Sequence, residues 1–562
     1  MFSSRIRATR FPDVASPEPI TDPEILEAYL EDASGSPAGR AAGLLRPERE
    51  SEIASFLRET RGRGITVLPQ AARSSLTAGA IPSGDVVISV EAMSEIGAPR
   101  VFAGGARVEV GPGVRLRDLQ REVARKGLYY PPVPTYQEAM IAGTISTNAG
   151  GAATFKYGVT RDWVHGLRVV LFNGDVLDVE RGQCRARPGQ AFEVALSDGG
   201  ELRVPVPDYT LPALKKISAG YHAADPLDLL DLFIGAEGTL GVITSATLDL
   251  APLPASQLTG LAFQPDPEQA IALSSALRTA AQDARERADP GEPDVRAIEF
   301  MDERSLDLLR GHGGSRKLRV EVPPDARAAL LFEVELREAM TDDRAQEVLA
   351  RFLEGAYLPG DRPLSRLFEI LAQHDALDRL ELAFPEDETR AESLREFREA
   401  VPVRVNEILA QRRRASPGIK KVGGDLIVPV SQMSEILRCY ERGFASRGLQ
   451  FAIWGHLSDG NLHPNALPRD AGETGRGFDA LLEFAEEVTR RGGCPLSEHG
   501  VGRNPVKQEM LRRFHGPRAM TAMLAVKRAL DPETRFAPGV LFPATRDAGP
   551  GDPVSPPQAR SS

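Results

Sequence analysis

Three of the chain's eight histidines, His456, His463 and His499, stand close together near its C-terminal end. Imidazole both ligates metals and exchanges protons near neutral pH, so this cluster is the first place to look for chemistry. His456 and His463 belong to the run Gly455-His456-Leu457-Ser458-Asp459-Gly460-Asn461-Leu462-His463, which follows an apolar segment from Phe451. Asp-Gly between apolar residues reads as a two-residue hairpin turn. That register sets His456 directly opposite His463 on one sheet face, with Cβ atoms about 5 Å apart. Leu457 and Leu462 then point to the other face. Two imidazoles so placed can converge on one ion, and Glu498, in Ser497-Glu498-His499-Gly500, offers a third ligand. Two histidines and a carboxylate leave open positions on Zn²⁺, Mn²⁺ or Fe²⁺ for a substrate oxygen. A packed histidine pair across a hairpin would share this spacing. The downstream Glu-His step, followed by glycine that permits close approach, favours ligation.

Two other segments suit a phosphorylated ligand. Leu68–Ala80, "LPQAARSSLTAGA", follows an apolar run. Its small residues let the backbone turn tightly so that successive N–H groups face phosphate oxygens. Ser74, Ser75 and Thr77 add hydroxyl donors and Arg73 adds charge. Ala142–Gly151, "AGTISTNAGG", has the same character ahead of Lys156-Tyr157-Gly158. Loops without a ligand can have this composition too. Neither GxGxxG nor GxxxxGK[ST] occurs, which disfavours Rossmann and P-loop nucleotide sites.

The elements that must carry these residues follow from periodicity. Ile53, Phe56 and Leu57 have helical spacing, and Ile65–Leu68 and Val86–Val90 read as buried strands. Val108–Val110 leads through Gly111-Pro112-Gly113 into a helix with Leu116, Leu119 and Val123 on one face. Asn173-Gly174 between apolar runs predicts a hairpin whose two turn residues both take positive φ. Arg181–Tyr221, with several prolines, reads as an insertion or loop. Leu253-Pro254 marks a boundary near 255. Beyond it, strands such as Ala328–Leu336 alternate with Arg/Glu-rich helices, including one over Arg395–Ala410.

Composition bounds the whole. The chain has 562 residues, 42% hydrophobic and 26% charged, with a formal charge of −11. That length buries a large core without disulfides. The mild acidity argues against a broad nucleic-acid or anionic-membrane role. Three scattered cysteines suit a reducing compartment. The longest uncharged run, Ala139–Phe155, is too polar to cross a bilayer, so no membrane span is expected. The N-terminus lacks the apolar core of a secretory signal. The expected location is the cytoplasm, with peripheral membrane contact left open.

Taken in order, "LPQAARSSLTAGA", "VEVGPGVRLRDL", "PPVPTYQEAMIAGTISTNAGGAATFKYG", "GLRVVLFNGDVLDV" and "FIGAEGTLGVIT" resemble the FAD-binding domain of the vanillyl-alcohol oxidase (PCMH-type) superfamily. "GHLSDGNLH" and "EHGVGRN" resemble the metal and base motifs of its D-lactate dehydrogenase, glycolate oxidase flavin subunit and D-2-hydroxyglutarate dehydrogenase branch. Alkylglycerone-phosphate synthase shares the flavin domain but lacks this Glu-His-Gly pattern. The resemblance implies an α+β fold: a two-subdomain FAD-binding domain, an α/β substrate (cap) domain and a mixed C-terminal segment. The corresponding boundaries are 1–44 for an N-terminal extension, 45–255, 256–425, 426–543, and 544–562 for a disordered tail.

The resemblance also implies roles. Arg73, Ser74, Ser75, Leu76 and Thr77 would wrap the FAD pyrophosphate. Thr135, Gly143, Thr144, Ser146, Thr147, Gly150 and Gly151 would line the cofactor. Glu237, Gly238, Thr239, Gly241, Val242 and Ile243 would meet its adenine or pyrophosphate side, and Asn504 would sit near the flavin. His456, His463 and Glu498 would hold the metal, His499 would be the base, and Asn465 would line the substrate. Related loops often read Arg-Gly-Gly-Gly-Thr, whereas Gln70-Ala71-Ala72-Arg73-Ser74 stands here, with fewer positions free to take positive φ. Neither loop has a histidine or cysteine, so the FAD is expected to be noncovalent. Arg398, on a helix resembling the family's carboxylate-binding one, is the expected substrate anchor, with Lys420 and Lys421 as weaker candidates. The implied activity is oxidation of a small D-2-hydroxy acid to the 2-oxo acid. Electrons would pass to a cytochrome, quinone, electron-transfer flavoprotein or O₂. A flavin oxidase of another alcohol, and a flavin-binding subunit of an electron-transfer complex, are the alternatives. A homodimer is left open.

Overall fold

Gly43–Leu45, Val86–Ser89 and Val67–Gln70 form a three-stranded parallel sheet in that order. The connection from the first strand to Val67–Gln70 runs through helix Glu50–Glu59, which buries Ile53, Phe56 and Leu57. The loop holding Arg73–Thr77 leaves the carboxyl end of Val67–Gln70, the edge at which ligand crevices open in parallel sheets. The structure, a computed structural model, describes residues 3–12, 14–132, 134–310, 317–356 and 358–543. The expected tail 544–562 lies outside them. No described helix is long and apolar enough to cross a membrane.

The second unit is a seven-stranded antiparallel sheet. Its long central strand, Val242–Pro252, pairs with Val164–Val170 on one side and Gly105–Val110 on the other. Helix Ile141–Thr147 packs beside it and ends at Asn148, which takes a left-handed conformation (φ 49°). The hairpin at Asn173-Gly174 differs from expectation. Val170 pairs with Val176 and Leu171 N–H donates to the Asp175 carbonyl. The loop therefore spans Phe172, Asn173 and Gly174, and Gly174 alone takes positive φ, at 81°. This is the three-residue loop that closes with a glycine in the left-handed region. Asn173 instead uses its side chain to accept from Asp175 N–H at 3.1 Å.

The stretch read as an insertion at 181–221 is also more ordered than expected. Ala191–Ala195 and Glu201–Pro205 pair antiparallel, and Arg5–Arg7 adds a parallel third strand. Phe192, Val194 and Val204 are fully buried on one face. The alternation is only two or three residues deep per strand, and flanking prolines hide it in the sequence.

An eight-stranded antiparallel sheet carries the rest. Along its order lie Leu380–Ala383, Ser256–Gln264, Ala328–Leu336, Asp294–Asp302, Phe451–His456, Asn461–Ala466 and Val422–Gly423, with Leu426–Ile427 also paired to Asn461–Ala466. Strands from the segments expected at 256–425 and at 426–543 thus share one sheet. Helix Glu388–Ala415 covers the face bearing Ala452 and Trp454, burying Phe397, Arg398, Val401, Val405 and Leu409. The chain then returns to its beginning. Val67 N–H donates to Arg535 O and Ala537 N–H to Val67 O, both at 2.8 Å. The Arg535 guanidinium donates to the carbonyls of Leu57 and Phe172.

Candidate active site

The hairpin that carries the two histidines has a different register from the one expected. His456 pairs with Asn461, and His463 with Trp454. The loop is four residues, Leu457–Gly460, not two, with Gly460 at φ 85°. A Cβ on Gly460 would stand 2.1 Å from the Val428 carbonyl oxygen, so the backbone itself fills that space. The correction moves His463 by two positions along the sheet, and side chains alternate with period two. Both imidazoles therefore stay on one face as diagonal neighbours, with ring centroids 5.4 Å apart. Both are buried.

Their surroundings orient them. Strand Asp294–Asp302 lies next to His456, with Glu299 in register with it. Glu299 Oε1 is 2.5 Å from His456 Nδ1, and Glu299 Oε2 is 2.6 Å from Arg398 Nη2. Burial would raise the Glu299 carboxyl, but Arg398 and His456 hold it down at about 2. Burial likewise lowers His456, yet Glu299 lifts it to about 9. Asp425 serves the other two imidazoles. Its oxygens are 3.7 Å from His463 Nδ1 and 3.5 Å from His499 Nδ1. It also accepts from the backbone N–H groups of Glu498 and His499, at 2.9 and 2.8 Å. All three Nδ1 atoms thus face a carboxylate, which leaves each Nε2 turned inward.

What they turn toward is Glu498. Its Oε1 lies 3.1 Å from His456 Nε2, 3.4 Å from His463 Nε2 and 3.7 Å from His499 Nε2. Bonds of about 2.0–2.2 Å to a tetrahedral ion put ligand atoms roughly 3.3–3.6 Å apart, a range that the His463 distance meets and the His456 and His499 distances bracket. Asp425, His463, Glu498 and His499 also offer ligand atoms within 4.8 Å of one another. The second oxygen of Glu498 is taken by the fully buried Lys216, Nζ 2.9 Å away, which is also 3.1 Å from Asp459. Burial raises the Glu498 carboxyl, but Lys216 and then His456 hold it well below the usual range. His499 is pushed by burial to about 4, against the pull of Asp425.

One cavity joins this cluster to both small-residue loops. Its lining includes His456, Glu498 and His499 together with Arg73, Ser74, Ser75 and Leu76. The same lining holds Thr135, Gly143, Thr144, Ser146, Thr147, Gly150, Gly151, Glu237, Gly238, Gly241, Val242 and Ile243. The lining fits an extended dinucleotide with a polar end. Arg73 Nη1 is buried there without a hydrogen-bond partner. A Cβ on Gly150 would come within 3.3 Å of Thr154, Lys216 and Glu498, so only glycine leaves the passage open beside the carboxylate.

Several expected residues stand elsewhere. Thr77 and Thr239 are buried and do not line the cavity; the Thr239 hydroxyl donates to Ala236 O. Asn504 caps helix Pro505–Leu530 by accepting from the N–H groups of Val506 and Lys507. Asn465 donates to the His463 carbonyl at 2.9 Å. Arg398 is buried in its pair with Glu299, with Nε unpartnered. Glu237 lines the cavity, but its two oxygens accept from Val501 and Gly502 N–H, each at 2.8 Å. Lys420 is exposed, and Lys421 is part-buried. Sequence reasoning missed Glu299, Asp425 and Lys216. A charged residue within the apolar strand Ala297–Met301 was the one available signal, for Glu299.

The chain is similar to known proteins over most of its length. Residues 41–180 match the family model described as an FAD binding domain, and residues 264–541 match that of the FAD linked oxidases, C-terminal domain. The chain is 27% identical to the glycolate oxidase subunit GlcD of Bacillus subtilis, covering 92% of each. It is 27% identical to D-2-hydroxyglutarate dehydrogenase of Stutzerimonas stutzeri, covering 93% of this chain and 96% of the relative. Identity is again 27% to D-lactate dehydrogenase of Anaerostipes hadrus, covering 95% and 96%.

Proposed function

The chain belongs to the PCMH-type FAD-linked oxidoreductases, and from that premise we propose that it oxidises a small, lactate-like D-2-hydroxy acid to the 2-oxo acid, with a divalent ion assisting and His499 as base. The observation that carries this is the single cavity shared by the phosphate-type loops and by His456, Glu498 and His499.

Arg73 and the hydroxyls of Ser74 and Ser75 would hold the pyrophosphate, and Gly143–Gly151 would flank the ring. Bound there, FAD supplies a two-electron acceptor for the hydrogen on the substrate's hydroxyl-bearing carbon. His456, His463 and Glu498 would hold a divalent ion, whose contribution is to lower the pKa of the substrate hydroxyl. The remaining work falls to side chains. His499, kept neutral at physiological pH by burial, takes the hydroxyl proton on Nε2. Asp425, on the Nδ1 side, stabilises the imidazolium that results. Arg398 does not line the cavity, but with Nη2 on Glu299 it keeps a buried, unpartnered Nε that would take the substrate carboxylate. We take the FAD to be held noncovalently.

The test is an anaerobic absorbance spectrum of the metal-replete protein before and after addition of D-lactate, L-lactate, glycolate or D-2-hydroxyglutarate. Bleaching of the flavin band by D-lactate is expected. Bleaching by L-lactate alone, or by none of the four, refutes the proposal.

A further inference from the structure

Glu237 comes from the cofactor-binding half of the molecule, yet both of its oxygens are committed to the loop that carries Glu498 and His499. It accepts from Val501 N–H and Gly502 N–H at 2.8 Å each. Asp425 in turn accepts from the N–H groups of Glu498 and His499. Four N–H groups within five residues are thus held by two carboxylates, those of the cavity-lining Glu237 and of the buried Asp425. The fit is tight. A Cβ on Gly500 would lie 2.9 Å from the Glu237 carboxyl carbon, and one on Gly502 would lie 2.1 Å from Thr77 O. Glu237 itself adopts φ 51°, a conformation that a non-glycine residue holds only under constraint from its surroundings.

We propose that Glu237 is a positioning residue that clasps the 498–502 loop from the flavin side and so fixes where His499 stands over the cavity. Its carboxylate acts on the backbone of the loop, not on the dinucleotide. The effect on turnover rests on the reading of His499 as base; the effect on the loop does not.

The variants Glu237→Gln and Gly500→Ala test this. Glutamine keeps one acceptor and turns an N–H against the other backbone N–H. Alanine at 500 displaces the same contact from the loop's side, which keeps the test open if E237Q folds poorly. Three measurements are made on each reconstituted protein: hydrogen exchange of the 498–504 peptide, FAD dissociation constant, and rate of anaerobic flavin reduction at saturating D-lactate. The expectation is exchange at least tenfold faster in that peptide alone, an FAD dissociation constant within threefold of the parent, and reduction slowed by roughly a hundredfold, as small displacements at a reacting centre do. Unchanged exchange overturns the clasp. So does a tenfold loss of FAD affinity with parental exchange, which would place the carboxylate on the cofactor. His499→Asn is run alongside. Parental reduction by that variant would refute the base assignment, while the exchange result would still decide the clasp.

Discussion

At the scale of single residues, the site is a set of imidazoles each steered by an acid. His456 has Glu299; His463 and His499 share Asp425. Replacing a carboxylate behind a ligating histidine costs about 10–100-fold in metal affinity in known sites. Glu299→Gln is therefore expected to weaken the metal by that amount in a chelator competition, with the FAD spectrum unchanged; parental affinity would refute the assignment. His499→Asn is expected to cut turnover by at least about 10²-fold, the usual worth of a general base, while FAD stays bound. Because burial pushes His499 to about 4, the base is deprotonated through the neutral range. The acid limb of kcat/KM is thus expected below the ordinary imidazole value of about 6.5. A limb at or above that value would count against His499. The histidines and Glu498 were legible as a cluster because such side chains rarely gather by chance. Asp425 and Glu299 were not, since acids are common and their partners lie 74 and 157 residues away.

At the scale of elements, period-two alternation was readable and turn length was not. Both Asx-Gly hairpins were expected as two-residue turns, and both are longer, with only the glycine at positive φ. The histidine pair survives because a two-residue shift preserves the face; a one-residue slip would have sent His463 to the opposite side. Asp302, where strand Asp294–Asp302 meets helix Glu303–Arg310, gives an element-level prediction. Its Oδ1 accepts from Ser305 N–H and hydroxyl at 2.8 and 2.6 Å, and burial pushes its carboxyl up to about 6. A carboxyl raised in the folded state lends stability that is complete below the unfolded pKa and lost as pH rises through about 6. Asp302→Asn keeps the accepting oxygen without the charge. It is expected to raise Tm relative to the parent at pH 8 and to leave it nearly unchanged at pH 4. An equal shift at both pH values would refute the argument.

At the scale of the molecule, the fold class was legible because motif order ran through both halves. The sharing of one sheet by residues 256–466 was not, since antiparallel partners such as Glu299 and His456 are distant in sequence. Nor was the closure by Arg535, which donates to Leu57 O, Phe172 O and the Thr60 hydroxyl. Arg535→Ala strands the carbonyls of Leu57 and Ile65 in the first unit and of Phe172 in the second, and should destabilise this half of the molecule by about 3 kcal/mol. Denaturant unfolding followed by flavin release checks this, and an unaltered midpoint would refute it.

That closure also orders events during synthesis. Val67 begins the strand that feeds the Arg73 loop, and its backbone partners are Arg535 and Ala537. Domains emerging from the ribosome fold from the N-terminal end first, but here the edge beneath the dinucleotide loop stays unpaired until residues 535–537 have been made. The strand edge waits for a segment more than four hundred residues downstream, and stable capture of the flavin waits with it.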